Sequence, residues 1–243
     1  MDWQQIWKWL FLAYTATAFL ALWNAWRGVP ETLPQRTSEI NDNRPISGQL
    51  FALMSIVFIT GASSTMVWPL LVIFLQDTLK APMNDIALAY LPAAILSSFL
   101  PSHMGRVADL LGRKGPMIAG LLIGALASAL IPHLRSLIFL AILWLVESLG
   151  YTASLPAERA FVADIAGENM RGTNYGLYTF AFFLGGTVGP LAGGWLYDNI
   201  QPSVPFYLNS AFLALGALLV GLLLKETRNS ITNSNGEELN TIK

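Results

Sequence analysis

One acidic side chain, Glu147, stands in the middle of the apolar run 136–157 and is the only charge in it. A carboxylate at the centre of a bilayer costs about 2.5–3.5 kcal/mol on insertion scales, so such a group faces a cavity or a partner. Tyr151, Ser154 and Glu158 follow at i+4, i+7 and i+11, which places one polar stripe on one helix face. A carboxyl group there can exchange a proton or recognise a cation; it can equally make a structural hydrogen bond to a neighbouring helix. Thr60, Ser63 and Ser64 form a second polar patch, beside Trp68-Pro69. Small hydroxyls of this kind line cavities or pack helices together. Other chemistries lack their residues. There is no cysteine for a disulfide, a thiolate nucleophile or a thiolate metal site. His103 and His133 sit at the ends of apolar runs, where interfacial positions suit them. No Ser/His or paired-carboxylate constellation falls within the runs, so no enzyme, metal or cofactor is expected. No basic block points to nucleic acid.

The elements that position these residues follow from composition. Of 243 residues, 54% are hydrophobic and 12% charged, against about 25% charged in a soluble domain. Runs free of charge, or broken only by Glu147, cover 9–26, 45–76, 86–105, 115–134, 136–157, 172–197 and 199–224. An apolar core about 30 Å thick needs roughly 20 helical residues. The runs are too long and too unpatterned for barrel strands, which take about 10 residues with alternating polarity. The expected fold is therefore all-α, a polytopic transmembrane bundle of seven spans. Span 1 occupies the region 1–26, with Trp3, Trp7, Trp9, Trp23 and Trp26 suited to the interfaces. A proline-containing polar linker, 27–47, follows. Six spans lie within 48–228, and a tail, 229–243, has the composition of a disordered segment. Eleven Lys and Arg residues fall on one side of this arrangement and three (Lys8, Lys80 and Arg135) on the other. The basic side is expected to be cytoplasmic. That puts the C-terminus inside and, with an odd number of spans, the N-terminus outside.

Pro101-x3-Gly105-x3-Asp109 recurs as Pro190-x3-Gly194-x3-Asp198, 89 residues and three spans later. That spacing is expected of two related three-helix units, 48–228 being one pair of them. Pro30-Glu31-Thr32 and Lys225-Glu226-Thr227 lie 195 residues apart, consistent with a longer repeat of six spans. The loop after the third span reads Gly105-Arg106-Val107-Ala108-Asp109-Leu110-Leu111-Gly112-Arg113-Lys114. Its glycines allow a tight turn, Asp109 suits a helix N-terminus, and Arg113 and Lys114 can pair with carboxylates.

This loop resembles the signature of the major facilitator superfamily, G-x-L-A-D-R-x-G-R-K. Gly105, Ala108, Asp109, Gly112, Arg113 and Lys114 match it, whereas Val107 and Leu110 depart. Pro156-Ala157-Glu158-Arg159 through Asp164 and Arg171-Gly172 is similar to the family's passage from helix 10 to helix 11. Gly185-Gly186-Thr187-Val188-Gly189-Pro190 resembles its glycine-rich eleventh helix. The resemblance makes the first span helix 6 and the next six helices 7–12, with five helices expected upstream.

It implies transport of a small solute by alternating access, of the proton-coupled efflux type, in the cell membrane. Glu147, Tyr151 and Ser154 would serve coupling or substrate, Thr60, Ser63 and Ser64 would line the cavity, and Gly105, Asp109, Gly112, Arg113 and Lys114 would form a gating loop. The expected partners are the lipid bilayer, the solute, and either a separate N-terminal half or a second copy. Two alternatives stay open: a truncated or split half that does not transport by itself, and a seven-helix receptor.

Overall fold

The computed structural model describes residues 3–28, 47–101, 103–104, 106, 110 and 112–226. All regular structure among them is helical, because a helix satisfies its backbone hydrogen bonds within its own segment, which lipid cannot do. The expected linker lies outside the described residues except at its two ends, and the expected tail lies outside them altogether. Two units are distinguished, 1–43 and 44–243. In the first, helix α1 spans Trp3–Gly28. Near its end the Arg27 guanidinium sits 4.0 Å above the Trp23 ring.

The second unit contains α2 (Gly48–Leu79), α3 (Met83–Phe99), α4 (Lys114–Leu130), α5 (Leu137–Asn199) and α6 (Val204–Leu223). Ser47 opens α2 by accepting a hydrogen bond from the Leu50 amide at 3.2 Å, which satisfies one of the orphan donors of the first turn. Helix α2 continues through Pro69 for its full 32 residues, about 48 Å. Helix α5 differs from the two separate spans the sequence suggests, since helix runs unbroken over 63 residues. A straight helix would separate Glu158 from Tyr178 by about 30 Å, yet the Tyr178 hydroxyl donates to the Glu158 carboxylate. The chain therefore doubles back, and α5 consists of two limbs, Leu137–Ile165 and Gly172–Asn199. Those two limbs, α2, α4 with its following turn, and α6 are long and apolar enough to cross a membrane; α3 is apolar but only 17 residues long.

Two apolar clusters hold this unit together, one toward each end. Leu53, Val57, Met117, Phe161, Tyr178 and Val220 form the first. The second includes Leu71, Phe74, Ile86, Ile131, Leu140 and Phe206, with the Phe74 and Phe206 rings 4.9 Å apart. The perimeter is apolar as well: Phe183 is 65% exposed, Leu191 75% and Leu222 71%. Water does not favour so much apolar surface, whereas acyl chains do.

Helix α2 and the second limb of α5 approach most closely. A Cβ added at Gly185 or Gly189 would strike the backbone carbonyls of Phe58 and Ala62, and one at Gly193 would lie 2.5 Å from Met66 Cγ. Glycines at i, i+4 and i+8 thus face residues at i, i+4 and i+8 across the seam. Their role is the close packing expected of small residues in apolar helices. Gly194, on the same limb, has nothing within 4 Å of an added Cβ. Gly189→Ala is expected to lower the thermal stability of the purified protein, by about 1–3 kcal/mol as for other overpacked sites, and Gly194→Ala to leave it unchanged. Equal melting temperatures for the two variants would contradict the seam.

Candidate functional site

Between the two apolar clusters lies a polar level. The Ser63 hydroxyl donates to the side-chain oxygen of Asn209, and Asn209 Nδ2 donates to Ser128 Oγ at 3.0 Å. Ser128 in turn donates to the Phe206 carbonyl at 2.8 Å. All three side chains are buried. The chain ties α2, α4 and α6 together and leaves no member without a partner, the condition for burying polar groups cheaply. Beside it opens a cavity of about 50 Å³, whose polar lining is Ser64, Ser128, Asn209 and Glu147, with Trp68 and Trp144 among the apolar walls. Trp144 is held edge-on by Tyr90, with ring centroids 4.6 Å apart. Among the described residues, neither Glu147 nor Ser64 has a hydrogen-bond or ion-pair partner.

The residues singled out from sequence divide among different tasks. Glu147 and Ser64 meet at the cavity, and Ser63 anchors the network next to it. Thr60 faces elsewhere: its hydroxyl donates to the Ile56 carbonyl at 3.0 Å, and its methyl group packs where a Cβ on Gly216 would be. Ser154 lies against Gly120, 2.5 Å from an added Cβ there, and its hydroxyl donates to the Tyr151 carbonyl. Tyr151 is 54% exposed. Glu147, Tyr151, Ser154 and Glu158 do share a helix face, but that face meets a different neighbour at each level. Asn209, Ser128, Trp68 and Trp144 complete the site. Asn209, the one Asn within Val204–Leu223, was the signal for α6.

At one end of the unit the loop before α4 is tied down within the unit itself. Gly112 adopts φ 92°, open to glycine and strained for other residues. The Glu226 carboxylate, just beyond α6, accepts from the backbone amides of Arg113 at 2.6 Å and Lys114 at 3.3 Å. A carboxylate in that place caps α4 and meets the positive end of its dipole. The Arg113 side chain is paired with Asp164 at 3.2 Å, and Lys114 Nζ donates to the Gly221 carbonyl at 2.9 Å. Gly105 and Asp109, the other residues expected in this loop, lie outside the described residues.

A family model described as Major Facilitator Superfamily matches residues 53–242. The chain belongs to this superfamily. It is similar to the uncharacterized MFS-type transporter YhjO of Bacillus subtilis, 29% identical over 170 residues, which covers 70% of this chain and 42% of that one. Multidrug transporter protein MdtP of B. subtilis is 28% identical over 52% of this chain and 23% of its own length. Quinolone resistance protein NorA of Staphylococcus aureus is 22% identical over 76% of this chain and 47% of its own. The chain thus spans less than half the length of the relatives it matches. In major facilitator terms it is a multi-pass membrane protein of a transporter family, and the Gly112-Arg113-Lys114 corner stands where the family signature ends.

The corner can be tested without transport. Glu226→Ala is expected to destabilise α4 by about 1 kcal/mol, the usual cost of losing a cap, read as a lower melting temperature and faster amide exchange at Lys114–Gly120. Gly112→Ala is expected to cost more, because it combines the positive φ with a clash against Glu226. Unchanged exchange in E226A would refute the cap.

Proposed function

We propose that this chain supplies one half of an alternating-access transporter, and that Glu147 is the group whose charge state is coupled to solute movement. The observation that carries the reading is the Glu147 carboxylate, partnerless among the described residues, on a small polar cavity at the level between the two apolar clusters. An acid there has a use only if something charged visits it, a proton or a cationic solute. Aromatic walls from Trp68 and Trp144 suit a flat, cationic or neutral amphiphile; among the relatives, MdtP is named a multidrug transporter and NorA a quinolone resistance protein.

A second reading belongs with it, that this half does not transport by itself. The cavity measures about 50 Å³, while sites for drug-sized ligands measure about 300–1,000 Å³. A second set of helices closing over Glu147 would make up the difference, as when two halves rock about a midplane site. The pairing of helices supports an internal repeat of α2–α3–α4 with the first limb, second limb and α6. The contact of α2 with the second limb is mirrored by α3 with the first limb, and that of α4 with the first limb by α2 with α6. The excess of basic residues supports a cytoplasmic Gly112 end, with the C-terminus inside and the N-terminus outside. The receptor alternative has no comparable support.

The decisive measurement is uptake of ethidium, a flat aromatic cation, into everted vesicles, the in vitro equivalent of export, at several imposed pH gradients. The chain is expressed alone and together with a six-helix N-terminal half from a relative. Export that follows the gradient is expected, with Glu147→Gln lowering the gradient-dependent component by about tenfold or more, the scale of losing one charge-assisted contact. An E147Q protein that exports with an unaltered pH profile removes the coupling role. Activity of the chain alone removes the second reading. Orientation is checked separately: the chain has no native cysteine, so Gln201→Cys should react with an impermeant maleimide in intact cells, and Gly172→Cys only after permeabilisation.

A further inference from the structure

Between residues 48 and 226 the chain has eight Lys and Arg residues, and six of them belong to the end of the unit that carries Gly112. The two at the opposite end, Lys80 and Arg135, come from different connections, one between α2 and α3 and the other between α4 and α5. Both line a single pocket of about 260 Å³, together with Pro82, Asp85 and Ser136. Among the described residues neither cation has an ion-pair partner, although Asp85 borders the same pocket.

The backbone at Lys80 is informative. It is the one non-glycine residue with positive φ among those described, at 51°, and it closes α2 in the left-handed conformation. Glycine is the residue a helix terminus of this kind favours, because any Cβ is penalised there. A lysine in that place keeps a charge at the pocket against a conformational preference, and strain of this sort tends to mark function. The floor of the pocket adds to the positive field. Ser136 caps the start of the first limb of α5 by accepting from the Ile138 amide, so the positive end of a long helix dipole lies beside the two side chains. The apolar part of the lining is Leu79, Ala81, Pro82 and Leu137, and the residues next to it along the chain are apolar and exposed: Met83 is 57% exposed, Ile138 72% and Phe139 64%.

We propose that this pocket binds the phosphate of an anionic phospholipid, with Lys80 and Arg135 on the phosphate oxygens and the acyl chains over Ile138 and Phe139. Two cations against one carboxylate leave a net positive site for a phosphodiester, and the apolar rim favours a lipid over free phosphate. The site is separate from the Glu147 cavity, and the inference holds whether or not Glu147 couples transport.

The test uses the purified full chain in neutral detergent and reads the melting temperature with added phosphatidylglycerol, phosphatidylcholine or inorganic phosphate. Phosphatidylglycerol is expected to raise the melting temperature by several degrees, well above the effect of either control. The informative variant is Lys80→Gly, which removes the charge while suiting the left-handed backbone. It should melt at or above wild type without lipid and yet lose at least half of the phosphatidylglycerol shift. Lys80→Gly combined with Arg135→Gln should lose nearly all of it. A full shift in the double variant overturns the proposal, as does an equal response to the two lipids. A shift from phosphate without one from phosphatidylglycerol overturns the lipid assignment.

Discussion

Close backbone contact between α2 and the second limb of α5 is the constraint on which the rest of the unit depends. In a bilayer, helices gain nothing by hiding apolar surface from lipid that is equally apolar. Adhesion rests on interhelical hydrogen bonds and, along this seam, on dispersion contacts, which fall off within an ångström or so. At Gly185 and Gly189 the limb presses directly on the carbonyls of Phe58 and Ala62, with no side chain between. Gly120 against Ser154 and Gly216 against Thr60 repeat the device where α4 meets the first limb and where α2 meets α6. Residues that read as candidates for binding, Thr60 and Ser154, are used as the small, hydroxyl-bearing counterparts of glycines. Each returns its hydroxyl to a carbonyl of its own helix, so it packs as a nearly apolar group.

That tight framework gives the polar level its character. Ser63, Asn209 and Ser128 form a closed chain of donors and acceptors ending on a backbone carbonyl. Such a network fixes the register of three helices. Glu147 and Ser64 lie one step outside it, on the cavity. The contrast separates structure from proposed chemistry: satisfied polar groups specify the packing, and the partnerless acid is left to respond to what enters. Because Ser128 and Asn209 are already satisfied where they border the cavity, an entering charge can alter Glu147 without breaking the contacts that hold α2, α4 and α6.

The helices were legible in the sequence because they rest on length and hydropathy, both local properties. The chain boundaries of α2 and α6 fall within a few residues of the apolar runs. The polar stripe on the first limb was legible only as a periodicity. A helical wheel fixes which residues share a face, but not whether that face meets a glycine, a cavity or lipid at a given depth. Asn209 was passed over for the same reason, since one amide among the 20 residues of α6 barely moves its composition. The partners of Arg113 were out of reach, because Asp164 and Glu226 lie 51 and 113 residues away along the chain. The family resemblance supplied the loop's importance; geometry supplied its partners.

The two ends of the unit handle charge in opposite ways. Around Gly112 the backbone amides of Arg113 and Lys114, the Arg113 guanidinium and the Lys114 ammonium each meet an oxygen of α5, α6 or the residues just after α6. These contacts staple the start of α4 to the ends of two other helices, so that the corner moves as one body or not at all. At the far end, among the described residues, neither Lys80 nor Arg135 forms an ion pair, although Asp85 borders the same pocket. A cation at a membrane boundary without a protein partner is hydrated or bound to an anion from outside the chain. The Arg113–Lys114 corner is thus fixed by contacts within the chain, whereas at Lys80 and Arg135 a ligand can be exchanged without dismantling the fold.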